Sequence, residues 1–176
     1  MSLVSIVNQI FAILSILGQL AILVILVSLV FKQQAVIKFF GNRAFLLAFG
    51  IALLSMLGSL FYSEIAGYEP CKLCWLQRIV MYPQVLFFGL ALWKKEFSLA
   101  IFSLLMSVIG LVIAAYHYLL QIGVVSSTAC GAVGYSVSCS QRFVMQYGYI
   151  TLVMMSLTAF AMVSVLMITY FVNKKS

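Results

Sequence analysis

The chain has 176 residues, of which 65% are hydrophobic and 7% charged, with ten Lys and Arg against three Asp and Glu. Such a composition cannot supply the polar shell of a water-soluble domain, and basic residues divided among short segments form no stripe for nucleic acid. What is left is one unit solvated by lipid. A helix needs about 20 mainly apolar residues to cross about 30 Å of hydrocarbon. Five stretches qualify in chain order, at about residues 3–31, 44–62, 71–93, 97–122 and 148–172. The first carries no Lys or Arg ahead of its apolar run and far exceeds the roughly 7–15 apolar residues of a signal peptide, so it reads as a retained span. In the second, Gly50, Ser55, Gly58 and Ser59 are expected to let helices approach closely. Pro83 is expected to kink the third. There is no internal repeat.

Alternating spans distribute the cations unequally. Lys32, Lys38, Arg43, Lys94, Lys95, Lys174 and Lys175 fall on one side; Lys72, Arg78 and Arg142 fall on the other. The positive-inside rule puts the richer side in the cytoplasm, which predicts an outer N-terminus and an inner C-terminus. All four cysteines then lie outside: Cys71 and Cys74 at the start of the third span, Cys130 and Cys139 in the segment before the fifth. His117 follows Phe97 by twenty residues, about 30 Å of helix, which brings it to the same outer interface as Glu64, Gln121 and Arg142.

The outside of a cell is where disulfides persist, so two structural staples are the plain reading. Cys71 and Cys74 argue against it for the first pair. A C-x-x-C bridge closes too small a loop to constrain the unfolded chain, and the spacing belongs to redox or metal sites. With Pro70 as the expected first helical residue, both thiols occupy the opening turns, where helix N–H groups favour a thiolate. Arg78 shares their helix face. It either snorkels or pairs with Glu64, or it stabilises a thiolate or a reduced, anionic acceptor; position alone does not choose. Cys130 and Cys139, spaced through a Gly-containing loop, are staple or catalyst alike when taken alone. His117 either bonds backbone or serves the acceptor, and Glu64 is expected to orient the outer loop or pair with Arg78 or Lys72. Tyr82, Tyr116 and Tyr118 read as interfacial belt residues.

The run LGSLFYSEIAGYEPCKLCWLQRIVMYP, residues 57–83, closely resembles the DsbB family of disulfide-bond formation proteins, most of all its Gram-positive-type, BdbC-like branch. The pattern P-C-x-L-C-W-x-Q-R-x-x-M-Y-P carries the likeness. AAYHYLLQ resembles the family's His-containing third helix, and CSQRF the region of its last cysteine. The resemblance covers about residues 44–172. It implies an all-α integral membrane fold: a four-helix transmembrane core over 44–176, preceded by an extra helix and cytoplasmic loop over 1–43.

By the same resemblance, the chain is a thiol:quinone oxidoreductase of the bacterial plasma membrane. Cys130 and Cys139 match the partner-facing pair, which meets an extracytoplasmic thioredoxin-like dithiol oxidase of the DsbA or BdbD kind. Cys71 and Cys74 match the quinone-proximal pair. Arg78 and His117 match residues beside the quinone, ubiquinone or menaquinone. The loop between Cys130 and Cys139 is shorter than in the Gram-negative type. Three other readings remain open: a quinone-linked reductase of the VKOR-like type, four cysteines around zinc, and a membrane subunit with two structural disulfides.

Overall fold

The computed structural model describes residues 2–95, 98–125 and 138–175. Five helices carry the fold: α1 (Leu3–Val30), α2 (Gln34–Leu60), α3 (Lys72–Lys94), α4 (Ala100–Gln121) and α5 (Leu152–Lys175). α2 runs on through one π-helical turn, Phe61–Ile65. Each helix is long and apolar enough to cross a membrane, and the described residues form no strand beyond an isolated bridge between Gln146 and Ile150.

Hydropathy located the spans but not their ends. α2 starts ten residues ahead of the expected 44, because only residues 31–33 turn, with Lys32 at φ 53°. Lys38 and Arg43 therefore ride on helix, and the Arg43 guanidinium lies 4.3 Å from the centre of the Phe39 ring. The reason is that backbone hydrogen bonding continues past the point where side chains stop being apolar. α5 likewise continues to Lys175, with cations in its last turn where the helix dipole favours them.

α5 is the central helix, packed on α1, α2 and α4, while α3 bridges α2 and α4. Over their most apolar stretches α5 is 56% buried and α1 only 17%, so α1 is the peripheral element. Phe45, Phe88, Phe160, Leu166 and Met167 are core residues. Phe45 meets Phe88 and Tyr170 edge to face, with centroids 5.9 and 5.1 Å away. Some hydroxyls inside the bundle return to their own helix: Thr158 donates to the Met154 carbonyl at 2.9 Å, and Thr169 to that of Val165 at 2.7 Å. That local bond removes the cost of carrying an O–H into hydrocarbon. α3 is continuous through Pro83, and Gln84 ties it to α4 by accepting from Ser107 Oγ at 2.8 Å.

The small residues sort differently from expectation. A Cβ on Gly50 would meet nothing within 4 Å, so this glycine makes no close helix contact. Gly58 does, seating the Phe11 ring of α1, and so does Gly110 of α4, which a Cβ would bring to 2.2 Å from the Phe160 ring. Phe160 is fully buried and cannot retreat without disturbing the core. Gly110→Ala is therefore expected to destabilise the fold by about 1–3 kcal/mol, measured by unfolding in mixed detergent micelles, while Gly50→Ala leaves it unchanged or slightly more stable.

Candidate active site

The ends of α2 and α4 and the beginnings of α3 and α5 converge at one end of the bundle. The π-turn and the loop after it prepare the entry to α3. Tyr68 N–H bonds the Tyr62 carbonyl at 2.9 Å, and the rings of Tyr62, Tyr68 and Phe143 stack at centroid distances of 6.0 and 4.8 Å. Gly67 takes the left-handed turn there, φ 70°. α3 then starts at Lys72, with Cys71 as its extended N-cap and Pro70 outside the helix, not as its first residue. The shift has a physical cause: the Cys71 sulfur accepts the Cys74 N–H at 3.4 Å, the service a cap side chain performs from just ahead of the helix.

The capping geometry brings the two thiols together. Cys71 Sγ and Cys74 Sγ are 3.0 Å apart, and both cysteines are free. The Cys71 thiol is held well below its ordinary value, first by the hydrogen bond from Cys74 and then by His117, against the opposing effect of burial. His117 Nε2 lies 3.7 Å from Cys71 Sγ and 3.1 Å from the carbonyl of Cys139. A carbonyl only accepts, so Nε2 carries the ring proton. Nδ1 then accepts from Gln77 Nε2 at 3.0 Å, and Gln77 Oε1 accepts from Ser156 Oγ at 2.6 Å. One chain of hydrogen bonds thus runs from α5 through α3 and α4 to the loop and leaves a single N–H aimed between the Cys139 carbonyl and the Cys71 sulfur. His117 is 2% exposed, Cys71 4% and Cys139 3%.

Cys139 is disulfide-bonded and shares a buried cluster with Cys71 and Leu120. Cys130, expected as its counterpart, lies outside the described residues. The loop reaches Cys71 because Arg142 and Gln121 pin it. Arg142 donates to the Gln121 carbonyl through Nε at 3.1 Å and through Nη2, placing a cation at the C-terminal end of α4. The Gln121 side chain donates to the Gln141 carbonyl at 3.2 Å and accepts from Thr151 Oγ1 at 2.8 Å.

Cys74 packs against the same cluster and also borders a second space. With Gln77 and Arg78 it lines a cavity of about 310 Å³ between α1, α2, α3 and α5, whose remaining wall is mainly apolar. Arg78 does not pair with Glu64. Its Nε donates to Ser59 Oγ at 2.8 Å and its Nη2 to the Ser59 carbonyl at 3.0 Å, while the guanidinium lies 5.2 Å from the Trp75 ring centre. Glu64 instead accepts from Ser63 Oγ at 3.0 Å. The carbonyl that Arg78 takes belongs to the last full turn of α2, where the π-turn disturbs the regular ladder. Tyr62 and Tyr82 also line the cavity, and their buried hydroxyls have no hydrogen-bond partner among the described residues.

The ligand atoms of Cys71, Cys74 and His117 lie within 4.8 Å of one another, close enough to share a metal ion. The four-cysteine zinc set is not assembled, because the Cys139 sulfur is in a disulfide and offers no thiolate. Gln77, Ser156, Ser59 and Tyr62 are site residues that reading the sequence passed over. Gln77 alone left a signal, as an amide inside the W-x-Q-R run.

A buried dithiol, a disulfide against its first sulfur and an apolar cavity against its second define a membrane-embedded thiol–disulfide exchange protein. The family described as "Disulfide bond formation protein DsbB" matches residues 41–172, and the chain belongs to it. It is 46% identical over 115 residues to the "Probable disulfide formation protein" of Oceanobacillus iheyensis, covering 65% of this chain and 79% of that one. To the "Probable disulfide formation protein C" of Bacillus cereus it is 40% identical over 131 residues, 74% of this chain and 94% of the other. The "Disulfide bond formation protein C" of Bacillus subtilis is 39% identical over 119 residues, 66% and 84% of the two chains. No solved structure matches.

Two measurements follow from this geometry. In reduced protein, the ultraviolet thiolate absorbance of Cys71 is expected to persist below the ordinary thiol value of about 8.5 and to disappear as falling pH protonates it. Cys74→Ala should move that midpoint up further than His117→Ala, because the Cys74 hydrogen bond is the larger cause. Gln77→Leu strands His117 Nδ1 and Ser156 Oγ, and is expected to cost roughly 1–3 kcal/mol in detergent unfolding.

Proposed function

We propose that the protein is a quinone-linked thiol oxidase that re-oxidises an extracytoplasmic thioredoxin-like dithiol oxidase of the DsbA or BdbD kind. Family membership establishes disulfide bond formation in the membrane, and the observation that carries the finer reading is the division of labour between adjacent sulfurs. Cys71 packs against Cys139, while Cys74 lines a cavity large and apolar enough for a quinone ring. The cation bias of the other end of the bundle supports reading this site as lying on the outer face of a bacterial plasma membrane, with α2 to α5 as the working core and α1 as an addition to it.

The cavity fits a quinone chemically. A quinone offers two carbonyl oxygens on a flat apolar ring, and the walls offer apolar contacts, the Arg78 guanidinium and the unpartnered hydroxyls of Tyr62 and Tyr82. These residues would hold it. When bound, it supplies the capacity to take up two electrons and two protons as the Cys71–Cys74 disulfide forms.

The protein's own steps are disulfide exchanges. A partner thiolate attacks Cys130 in the Cys130–Cys139 disulfide, forming a mixed disulfide and releasing Cys139 as thiolate. Cys139 attacks Cys71 of an oxidised Cys71–Cys74 pair; the Cys71–Cys139 bond forms, the Cys71–Cys74 bond breaks, and Cys74 leaves as thiolate beside the cavity. The second partner thiol closes the partner's own disulfide and frees Cys130. Cys130 attacks Cys139, restores their disulfide and releases Cys71. The partner has then lost two electrons, and the Cys71–Cys74 dithiol holds them. The His117 N–H supports charge on Cys71 as it leaves, and the Arg78 guanidinium supports charge on the cavity side.

The deciding experiment mixes purified, pre-reduced protein in nanodiscs with one equivalent of ubiquinone or menaquinone. Two thiols lost per quinol formed, with Cys74→Ser producing no quinol, is the expected result. Folded protein that leaves both quinones oxidised and all its thiols intact overturns the reading.

A further inference from the structure

α1 lies outside residues 41–172, which the family matches, yet it is more than a detached anchor. Three fittings fix it against the rest of the bundle. The Phe11 ring sits on Gly58, where a Cβ would come within 2.7 Å of it. Gly18 meets Thr158 of α5 so closely that a Cβ there would lie 3.1 Å from the threonine methyl. One residue beyond Gly18, Gln19 donates through Nε2 to Thr158 Oγ1 at 3.2 Å and accepts from Tyr149 at 3.0 Å. An amide in hydrocarbon is costly without partners, so these bonds favour one rotation and one height of α1 on α5. The outward face, with Ile13, Leu17 and Leu20, is open to lipid.

In that rotation Phe11, Leu14, Ser15 and Gly18 line the same cavity as Cys74 and Arg78, opposite the helix that bears the thiol. Phe11 also contacts the ring of Tyr62, whose hydroxyl is buried and unpartnered, at a centroid distance of 6.1 Å. Resting on the reading that this cavity receives the quinone, we propose that α1 is the lipid-side wall of the acceptor site and sets how tightly and how long the quinone is held. The chemistry is apolar contact and enclosure. Phe11 and Leu14 cover a ring that would otherwise be free to slip sideways into the bilayer, and the affinity gained this way is felt mainly in the dissociation rate.

The test uses the full-length protein in nanodiscs, with decylubiquinone and menadione as probes, and the fluorescence of Trp75 in a Trp93→Phe background as the binding signal. Phe11→Ala combined with Leu14→Ala is expected to weaken binding about tenfold, chiefly through faster dissociation. Ser15→Leu, which fills the cavity from α1, should abolish binding. Ile13→Ala with Leu17→Ala, on the lipid face, should change neither constant. Leu14→Ala alone stands in if the double variant fails to fold, judged by its unfolding midpoint and its count of reactive thiols. Binding by the unaltered protein with unchanged constants in the folded α1 variants overturns the role of α1 and leaves the thiol oxidase reading intact. Failure of the unaltered protein to bind either quinone removes the acceptor site itself.

Discussion

Hydrocarbon leaves a buried side-chain amide or imidazole with no water to bond, so such a group is costly unless it finds its partner in the protein. His117 and Gln77 are the place where that constraint organises the site. Their hydrogen bonds join Ser156 of α5, α3, α4 and the Cys139 carbonyl into one chain. Because the last acceptor is a carbonyl, the ring proton is on the nitrogen that faces Cys71, and the imidazole is oriented without any ionised residue to hold it. Breaking one link strands the others, so the position of the thiols and the integrity of the helix packing are bound together.

The two sulfurs of the C-x-x-C pair differ because a helix begins between them. Cys71 is the cap, with extended backbone and its sulfur drawn back over the first turn; Cys74 is in helix and its side chain follows the α3 face that carries Gln77 and Arg78. Cys71 thereby packs with Cys139 of the loop, while Cys74, its sulfur 3.0 Å away, also lines the cavity. The relay proposed above, between a water-soluble dithiol and a lipid-soluble acceptor, would need that arrangement: short separation for exchange, separate exits for the two substrates. The loop is held near Cys71 by the Arg142 and Gln121 contacts that close the end of α4.

Much of this was legible in the chain itself. Five spans followed from apolar length alone, and the spacing of Cys71 and Cys74 led to the expectation of chemistry rather than stapling there, at a place where the two free thiols do lie together. The W-x-Q-R run pointed to a family that the comparisons bear out. Other features were not legible. Whether Gly50 or Gly58 receives a neighbouring ring depends on helix rotation, which a 19- or 20-residue apolar stretch does not encode. Arg78 had an acid in sequence reach, but it takes the hydroxyl and carbonyl of Ser59 in the last turn of α2 instead.

The sequence by itself determined the solvent, the number of spans and the kind of chemistry, because these depend on composition and on spacing along one chain. Only the tertiary structure decided which sulfur faces the loop and which the cavity, why Gln77 matters, and that α1 contributes to the cavity wall. Those depend on how separate helices are turned and seated against one another. In lipid that is settled by steric fit at a few glycines and by the pairing of a few buried polar groups, interactions between residues far apart in the chain.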